Sequence, residues 1–142
     1  MAVRDVAAAV AFFGLLGFRK EKSVVISGAQ FAAYMGVEGI EAEHVTLVLE
    51  GATPRTEVQL LRYRHPEPVV DPTIRNLARL GFNHVCFAVD DLDAAVVRLQ
   101  AAGVVLRNEV LRFHDRKLVF LDGPEGITVE LAEWGSPPAA VS

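Results

Sequence analysis

The side chains able to hold a cation or move a proton are few here, and most sit on segments with strand-like alternation. They are four histidines (His44, His65, His84 and His114), a lone cysteine (Cys86), and the carboxylate Glu130 within the run Thr128 to Trp134. Successive side chains on a strand point to opposite faces, so His84, Cys86 and Ala88 share one face while Val85, Phe87 and Val89 take the other. In the same way Thr128, Glu130 and Ala132 lie opposite Val129 and Leu131. An imidazole and a carboxylate therefore project among small neighbours, and both can ligate a divalent cation or carry a proton. The plainer readings are a hydrogen-bonded histidine at a strand start and a solvated strand carboxylate. Gln59, in Val58-Gln59-Leu60-Leu61, offers a neutral amide oxygen, a modest metal ligand whose plainer role is strand surface. Nucleophilic chemistry finds little support, since no GxSxG elbow and no Ser/His/Asp or Cys/His arrangement is identifiable. Cys86, next but one to His84, could mimic a nucleophile pair but reads as a small buried apolar residue. Gly123 and Gly126 join two strands rather than opening a helix, so they do not form a phosphate loop.

The elements that must position these residues are written twice. Ala2-Val3-Arg4-Asp5-Val6-Ala7-Ala8-Ala9-Val10 aligns with Ala88-Val89-Asp90-Asp91-Leu92-Asp93-Ala94-Ala95-Val96. Asp5 and Asp91 stand at N-cap positions. Apolar residues follow at helical spacing, Val6, Ala9, Val10 and Phe13 in the first copy and Leu92, Ala95, Val96 and Leu99 in the second. Gly17 and Gly103 close the two helices, which are predicted over Asp5 to Leu15 and Asp91 to Ala102. Three strand-like segments follow each helix. They are Arg19 to Ser27, Glu43 to Leu49 and Glu57 to Tyr63, then Val104 to Glu109, Lys117 to Leu121 and Thr128 to Trp134, with a turn at Asp122 to Gly126.

A strand over Phe82 to Val89 precedes the second helix, completing a βαβββ module, whereas only Met1 to Val3 precede the first. The short first strand leaves a sheet edge that another chain is expected to cover, which predicts a homodimer. The expected layout is one domain over 1–142, with module one at 1–63, a linker at 64–80, module two at 81–134 and a frayed tail at 135–142. Pro66, Pro68 and Pro72 suit an extended crossover, with a short helical turn expected over Ile74 to Leu80.

The run Phe82-Asn83-His84-Val85-Cys86-Phe87-Ala88-Val89-Asp90-Asp91-Leu92-Asp93-Ala94-Ala95 resembles the opening of a vicinal-oxygen-chelate module. Leu121-Asp122-Gly123-Pro124-Glu125-Gly126-Ile127-Thr128-Val129-Glu130-Leu131 resembles its end. This superfamily includes glyoxalase, bleomycin-resistance and extradiol-dioxygenase proteins. The resemblance implies an α+β fold of two βαβββ modules, forming a cupped mixed sheet with helices on the convex face. It implies a divalent metal (zinc, nickel, cobalt, manganese or iron) held by His84 and Glu130 of module two and Gln59 of module one. The fourth family position, on the first strand of module one, falls ahead of Met1, and His44, His65 and His114 do not occupy it. His114 and Arg116 are read as solvated loop residues, with contact to an anionic substrate at the cup mouth as the functional alternative.

A His/Gln/His/Glu set resembles that of methylmalonyl-CoA epimerase, whereas lactoylglutathione lyase commonly has glutamate where Gln59 stands. Such a metal holds two neighbouring substrate oxygens and stabilises an enediolate-like intermediate, with Glu130 as ligand or base. The resemblance thus implies an isomerase, lyase or dioxygenase acting on a small oxygenated metabolite. The alternative is a metal-free small-molecule binding protein of the bleomycin-resistance type, and fold alone does not choose.

Composition narrows the setting. Charged residues are 23% and hydrophobic ones 51%, which places the chain with globular proteins rather than disordered ones. Net charge is -4, and the 14 Lys and Arg are scattered, so no basic stripe is available for nucleic acid. A single cysteine forms no intramolecular disulfide and fits a reducing, cytoplasmic compartment. The apolar stretch Val6 to Phe18 is read as a helix, not as a secretory leader, because Asp5 interrupts the basic region and the same pattern recurs mid-chain. It is also short of the roughly 20 residues a membrane span needs, so no membrane partner is expected.

Overall fold

Aspartate side chains start both long helices. Asp5 accepts a hydrogen bond from the Ala8 N–H at 2.9 Å, and Asp91 accepts one from Ala94 at 2.9 Å, satisfying a helical N–H that has no intrahelical partner. The helices are α1 (Val6–Gly14) and α3 (Leu92–Ala101). Past their ends Gly17 and Gly103 take φ of 93° and 88°, a backbone region that disfavours a Cβ. Replacing Asp91 with Ala is expected to cost about 1 kcal/mol in a denaturant melt, since the Ala94 N–H loses its acceptor.

The computed structural model of the chain describes residues 1–135. Its other elements are β1 (Phe18–Ser27), α2 (Ala29–Met35), β2 (Glu41–Leu49), β3 (Glu57–His65), β4 (His84–Ala88), β5 (Leu111–Phe113), β6 (Arg116–Asp122) and β7 (Thr128–Trp134). The chain divides into two compact units, Met1–Asp71 and a second that begins at Pro72. The fold class is α+β, with two sheets and three α-helices among the described residues. No helix among the described residues is long and apolar enough to cross a membrane. The expected tail from Ser136 lies outside the described residues.

In the first unit β1, β2 and β3 form an antiparallel sheet, and Ala2 adds a parallel bridge to Leu61 of β3. In the second unit the sheet order is β4-β7-β6-β5, with β4 parallel to β7 and the other pairs antiparallel. The two units share one topology down to single hydrogen bonds. Val3 N–H donates to Leu61 C=O at 2.9 Å, and its counterpart Val89 donates to Ala132 C=O at 2.9 Å.

Each sheet buries one face. The first unit buries Val45, Leu47 and Leu60 along its strands and Ala9, Phe12 and Phe13 along α1. The ring of Phe13 meets those of Phe12 and Phe18 edge-on at 5.3 and 5.8 Å, an arrangement that suits the aromatic quadrupole. The second unit buries Val119, Leu121, Val129 and Leu131, with Leu92, Ala95 and Leu99 from α3.

Two expectations are corrected. The strand expected over Val104 to Glu109 keeps only an isolated bridge from Leu106 to Leu121, and the edge strand is β5 further on. Side chains interrupt the ladder there: the Asn108 amide oxygen accepts the Phe120 N–H at 2.9 Å, and Arg107 turns inward to Asp122. The helical turn expected over Ile74 to Leu80 is instead two separate turns, closed by Asn76 N–H to Thr73 C=O and Arg79 N–H to Asn76 C=O. One element was not expected at all. Helix α2 buries none of its residues fully, while Ala32 and Met35 pack against Ile26, Ile40 and Ala42.

Candidate functional site

Cross-strand register decides which side chains share a face, because residues paired directly across two strands point the same way. In the second unit His84 pairs with Thr128, Cys86 with Glu130 and Ala88 with Ala132. On the other side of β7, Phe120 pairs with Glu130, Leu118 with Ala132 and Arg116 with Trp134. One face therefore carries His84, Cys86, Glu130 and Phe120, and continues through Leu118 and Ala132 to Arg116 and Trp134. The opposite face is buried along Val119, Leu121, Val129 and Leu131, and on the first face Thr128 and Ala132 are buried as well. The expected division of β4 and β7 into a polar and a packed face is what the structure has.

On that polar face His84 and Glu130 meet, Nε2 to Oε2 at 3.1 Å. The ring of Phe120 stands edge-on to the imidazole with centroids 5.5 Å apart, fixing its plane. The Asn83 side chain, whose part sequence reading missed, sets the tautomer. Its Nδ2 donates to the Leu77 carbonyl at 2.7 Å, which orients the amide so that Oδ1 faces His84 Nδ1 at 2.5 Å. An amide oxygen only accepts, so Nδ1 must carry the proton. The lone pair of Nε2 then points at a carboxylate oxygen that also only accepts when ionised. Two acceptors this close must share a proton or a metal ion. The donor set thus fits a divalent metal, and Asn83 is the kind of outer partner that orients a ligating imidazole.

Cys86, paired with Glu130, has its thiol pKa pushed up by burial and by the Glu130 charge, with Arg116 partly opposing them. It remains a thiol rather than a nucleophilic thiolate. Arg116 stands over the Trp134 ring at 4.6 Å and the Phe113 ring at 5.8 Å. His114 occupies the tight β5–β6 turn at φ 54°, its ring edge-on to Phe113 at 4.3 Å.

The remaining candidates belong to the first unit. Gln59 is exposed on β3, and its Nε2 donates to Glu57 at 3.3 Å. Its register matches that of Glu130: Gln59 lies two residues before Leu61, which bridges Ala2, as Glu130 lies two before Ala132, which pairs with Ala88. His44 is half-buried on β2, paired with Leu61 and so on the Gln59 face. His65 ends β3, its ring 3.2 Å from where a Cβ on Gly39 would lie. Among the described residues no group of three or more His, Cys, Asp or Glu converges on one point.

The start of β7 is held from the side by Arg107. This part-buried guanidinium donates through Nε to Asp122 at 2.6 Å, through Nη1 to the Thr128 hydroxyl, and through Nη2 to the Gly126 and Ile127 carbonyls at 3.0 and 3.2 Å. Asp122 also takes a bond from Arg75 at 2.6 Å. The sequence signal for this cluster was a lone arginine in an apolar segment.

Known proteins share both the fold and stretches of sequence. Over 54 residues, 38% of this chain, it is 30% identical to glyoxalase I of Saccharomyces cerevisiae, and over 56 residues it is 36% identical to the uncharacterized protein YaeR of Escherichia coli. Those matches span only 17% and 42% of the two relatives' lengths. A crystal structure of a glyoxalase family protein from Bacillus cereus superposes with a TM-score of 0.85, at 26% identity, covering 96% of this chain and 91% of that one. The family model for the Glyoxalase/Bleomycin resistance protein/Dioxygenase superfamily matches residues 1–120, and the chain belongs to that superfamily.

Proposed function

We propose that this chain is a divalent-metal-dependent enzyme of the glyoxalase or epimerase type, an isomerase, lyase or dioxygenase acting on a small oxygenated metabolite. His84 and Glu130 hold the ion, and Gln59 supplies a further ligand from module one. The observation that supports this reading is the Asn83-oriented imidazole, which leaves Nε2 and a carboxylate oxygen 3.1 Å apart, a spacing that a proton or a metal ion bridges. A metal of this class (zinc, nickel, cobalt, manganese or iron) stabilises negative charge that develops beside a carbonyl. Glu130 is the group able to move the proton, because it is the carboxylate on this face of the second sheet nearest the imidazole. Phe120 stands edge-on to the imidazole of the pair.

The chain acts as one glyoxalase-like domain of two modules, assembled as a homodimer in the cytoplasm, where Cys86 stays a free thiol. A second reading has its own observation. With no group of three His, Cys, Asp or Glu placed to hold an ion among the described residues, a metal-free binding protein of the bleomycin-resistance type uses the same face and keeps a proton between His84 and Glu130.

Calorimetric titration with nickel or zinc separates the two. The native chain is expected to bind one ion measurably but weakly, and His84→Ala with Glu130→Ala to abolish binding while leaving the circular dichroism unchanged. Asn83→Ala, which frees the imidazole to flip its tautomer, is expected to weaken binding by roughly 10- to 100-fold. No heat from the native chain, or the same heat from the double variant, leaves the metal-free reading in place.

A further inference from the structure

Beyond the His84–Glu130 pair, the same face of the second sheet carries an unspent cation. Arg116 has no carboxylate partner among the described residues, although the chain around it is rich in acids. Glu133, one residue from its cross-strand partner Trp134, faces the other way and is held by Lys117 at 3.4 Å, as Asp93 is at 3.1 Å. The Arg116 guanidinium instead stands over Trp134, with Phe113 on a second side. Both rings are open to solvent, Trp134 at 55% and Phe113 at 45% exposure. A guanidinium pre-oriented by aromatic rings and lacking an anion is suited to bind a planar carboxylate, since its fork of N–H donors matches two oxygens at once.

The ground between the two poles is apolar and low. Ala88, Ala132 and Leu118 lie side by side across three strands, between the Cys86–Glu130–Phe120 row and the Arg116–Trp134 pair. Trp134 lies four positions along β7 from Glu130, roughly 13 Å of strand at the usual rise, which the reach of an arginine shortens. The face therefore reads as a polar pole, an apolar trough and a cationic pole.

We propose that Arg116, braced by Trp134 and Phe113, is a specificity residue that holds a carboxylate at the far end of an apolar substrate whose reacting oxygens lie at His84 and Glu130. The inference rests on the function proposed above for which face is the substrate face. Its test needs no metal, so the two can fail separately.

Trp134 is the chain's single tryptophan, and its emission reports directly on the cation beside it. The probes are 3-phenylpropionate and its neutral amide, titrated into the metal-free chain with excitation at the indole. The carboxylate is expected to give a saturable change in Trp134 emission, with at least tenfold tighter binding than the amide. Arg116→Met should remove that preference, and Arg116→Lys should keep part of it, as a point charge without the fork. His84→Ala with Glu130→Ala should leave it intact, and if the native chain bound no metal, the enzyme reading would fall while this site stood. Equal binding of acid and amide, an unchanged preference in Arg116→Met, or no saturable change in the native chain would each overturn the proposal.

Discussion

Replacing Arg107 with methionine is expected to destabilise the chain by about 3 kcal/mol, because it strips partners from several polar groups while leaving them in place. The Arg107 side chain is only 12% exposed, and Thr128 is fully buried. Without the guanidinium the Thr128 hydroxyl and the Gly126 and Ile127 carbonyls each lose a donor. Asp122 keeps Arg75 and some solvent, which holds the cost near the lower end of the range for a broken buried pair. Lysine is not an adequate replacement, since one ammonium cannot reach acceptors lying in several directions.

The same variant has a pH signature. Burial pushes the Asp122 pKa up, but the hydrogen bonds from Arg107 and Arg75 outweigh it and hold the carboxyl below its ordinary range. A depressed folded-state pKa contributes stability that is present above the unfolded-state value and lost as pH falls through the folded one. The native chain should therefore lose stability on acidification from about pH 5 downward, and Arg107→Met should lose less over that window. Urea melts at neutral and acid pH measure both effects. A variant as stable as the native chain with the same acid slope would show that Arg107 is spectator to Asp122. The consequence for the site is direct, because Thr128 opens the strand that carries Glu130 two residues later.

What could be read ahead of the structure was whatever repeats or alternates. Asp5 and Asp91 marked helix starts because a short acceptor before an apolar stripe has one favourable place in a helix, and both cap as expected. Strand alternation put His84 and Glu130 on one face because a strand's period is fixed by its backbone. The equivalence of Gln59 and Glu130 came from the family resemblance, and the matching register of Leu61 with Ala2 and of Ala132 with Ala88 agrees with it.

What escaped reading depends on where a single side chain turns. Asn83 sits beside His84 in sequence, but its role needs the Leu77 carbonyl, brought close by turns whose shape no periodicity encodes. Asn108 and Arg107 interrupt a segment whose composition is that of a strand. Helix α2 lacked a stripe to announce it, since none of its side chains is fully buried.

Truncating Leu99 to alanine is expected to cost roughly 2 to 5 kcal/mol, while Val97→Ala, two positions away on the same helix, should change stability by no more than about 0.5 kcal/mol. Leu99 is completely buried and Val97 is 69% exposed, so the pair differs in burial while both changes shorten a branched aliphatic side chain. Removing buried methyl groups loses their transfer free energy and leaves a cavity that close-packed neighbours fill only in part. At the exposed position alanine loses little packing and gains slightly in helix propensity. Helix α3 contacts β7, and the Leu92 N–H donates to Glu133 of that strand at 2.8 Å, so the helix braces β7 from the face opposite Glu130. A loosened α3 should therefore weaken nickel or zinc binding in Leu99→Ala below the melting transition, and Val97→Ala should leave it unchanged. Equal stabilities for the two variants would mean that the buried stripe of α3 does not anchor this half of the fold.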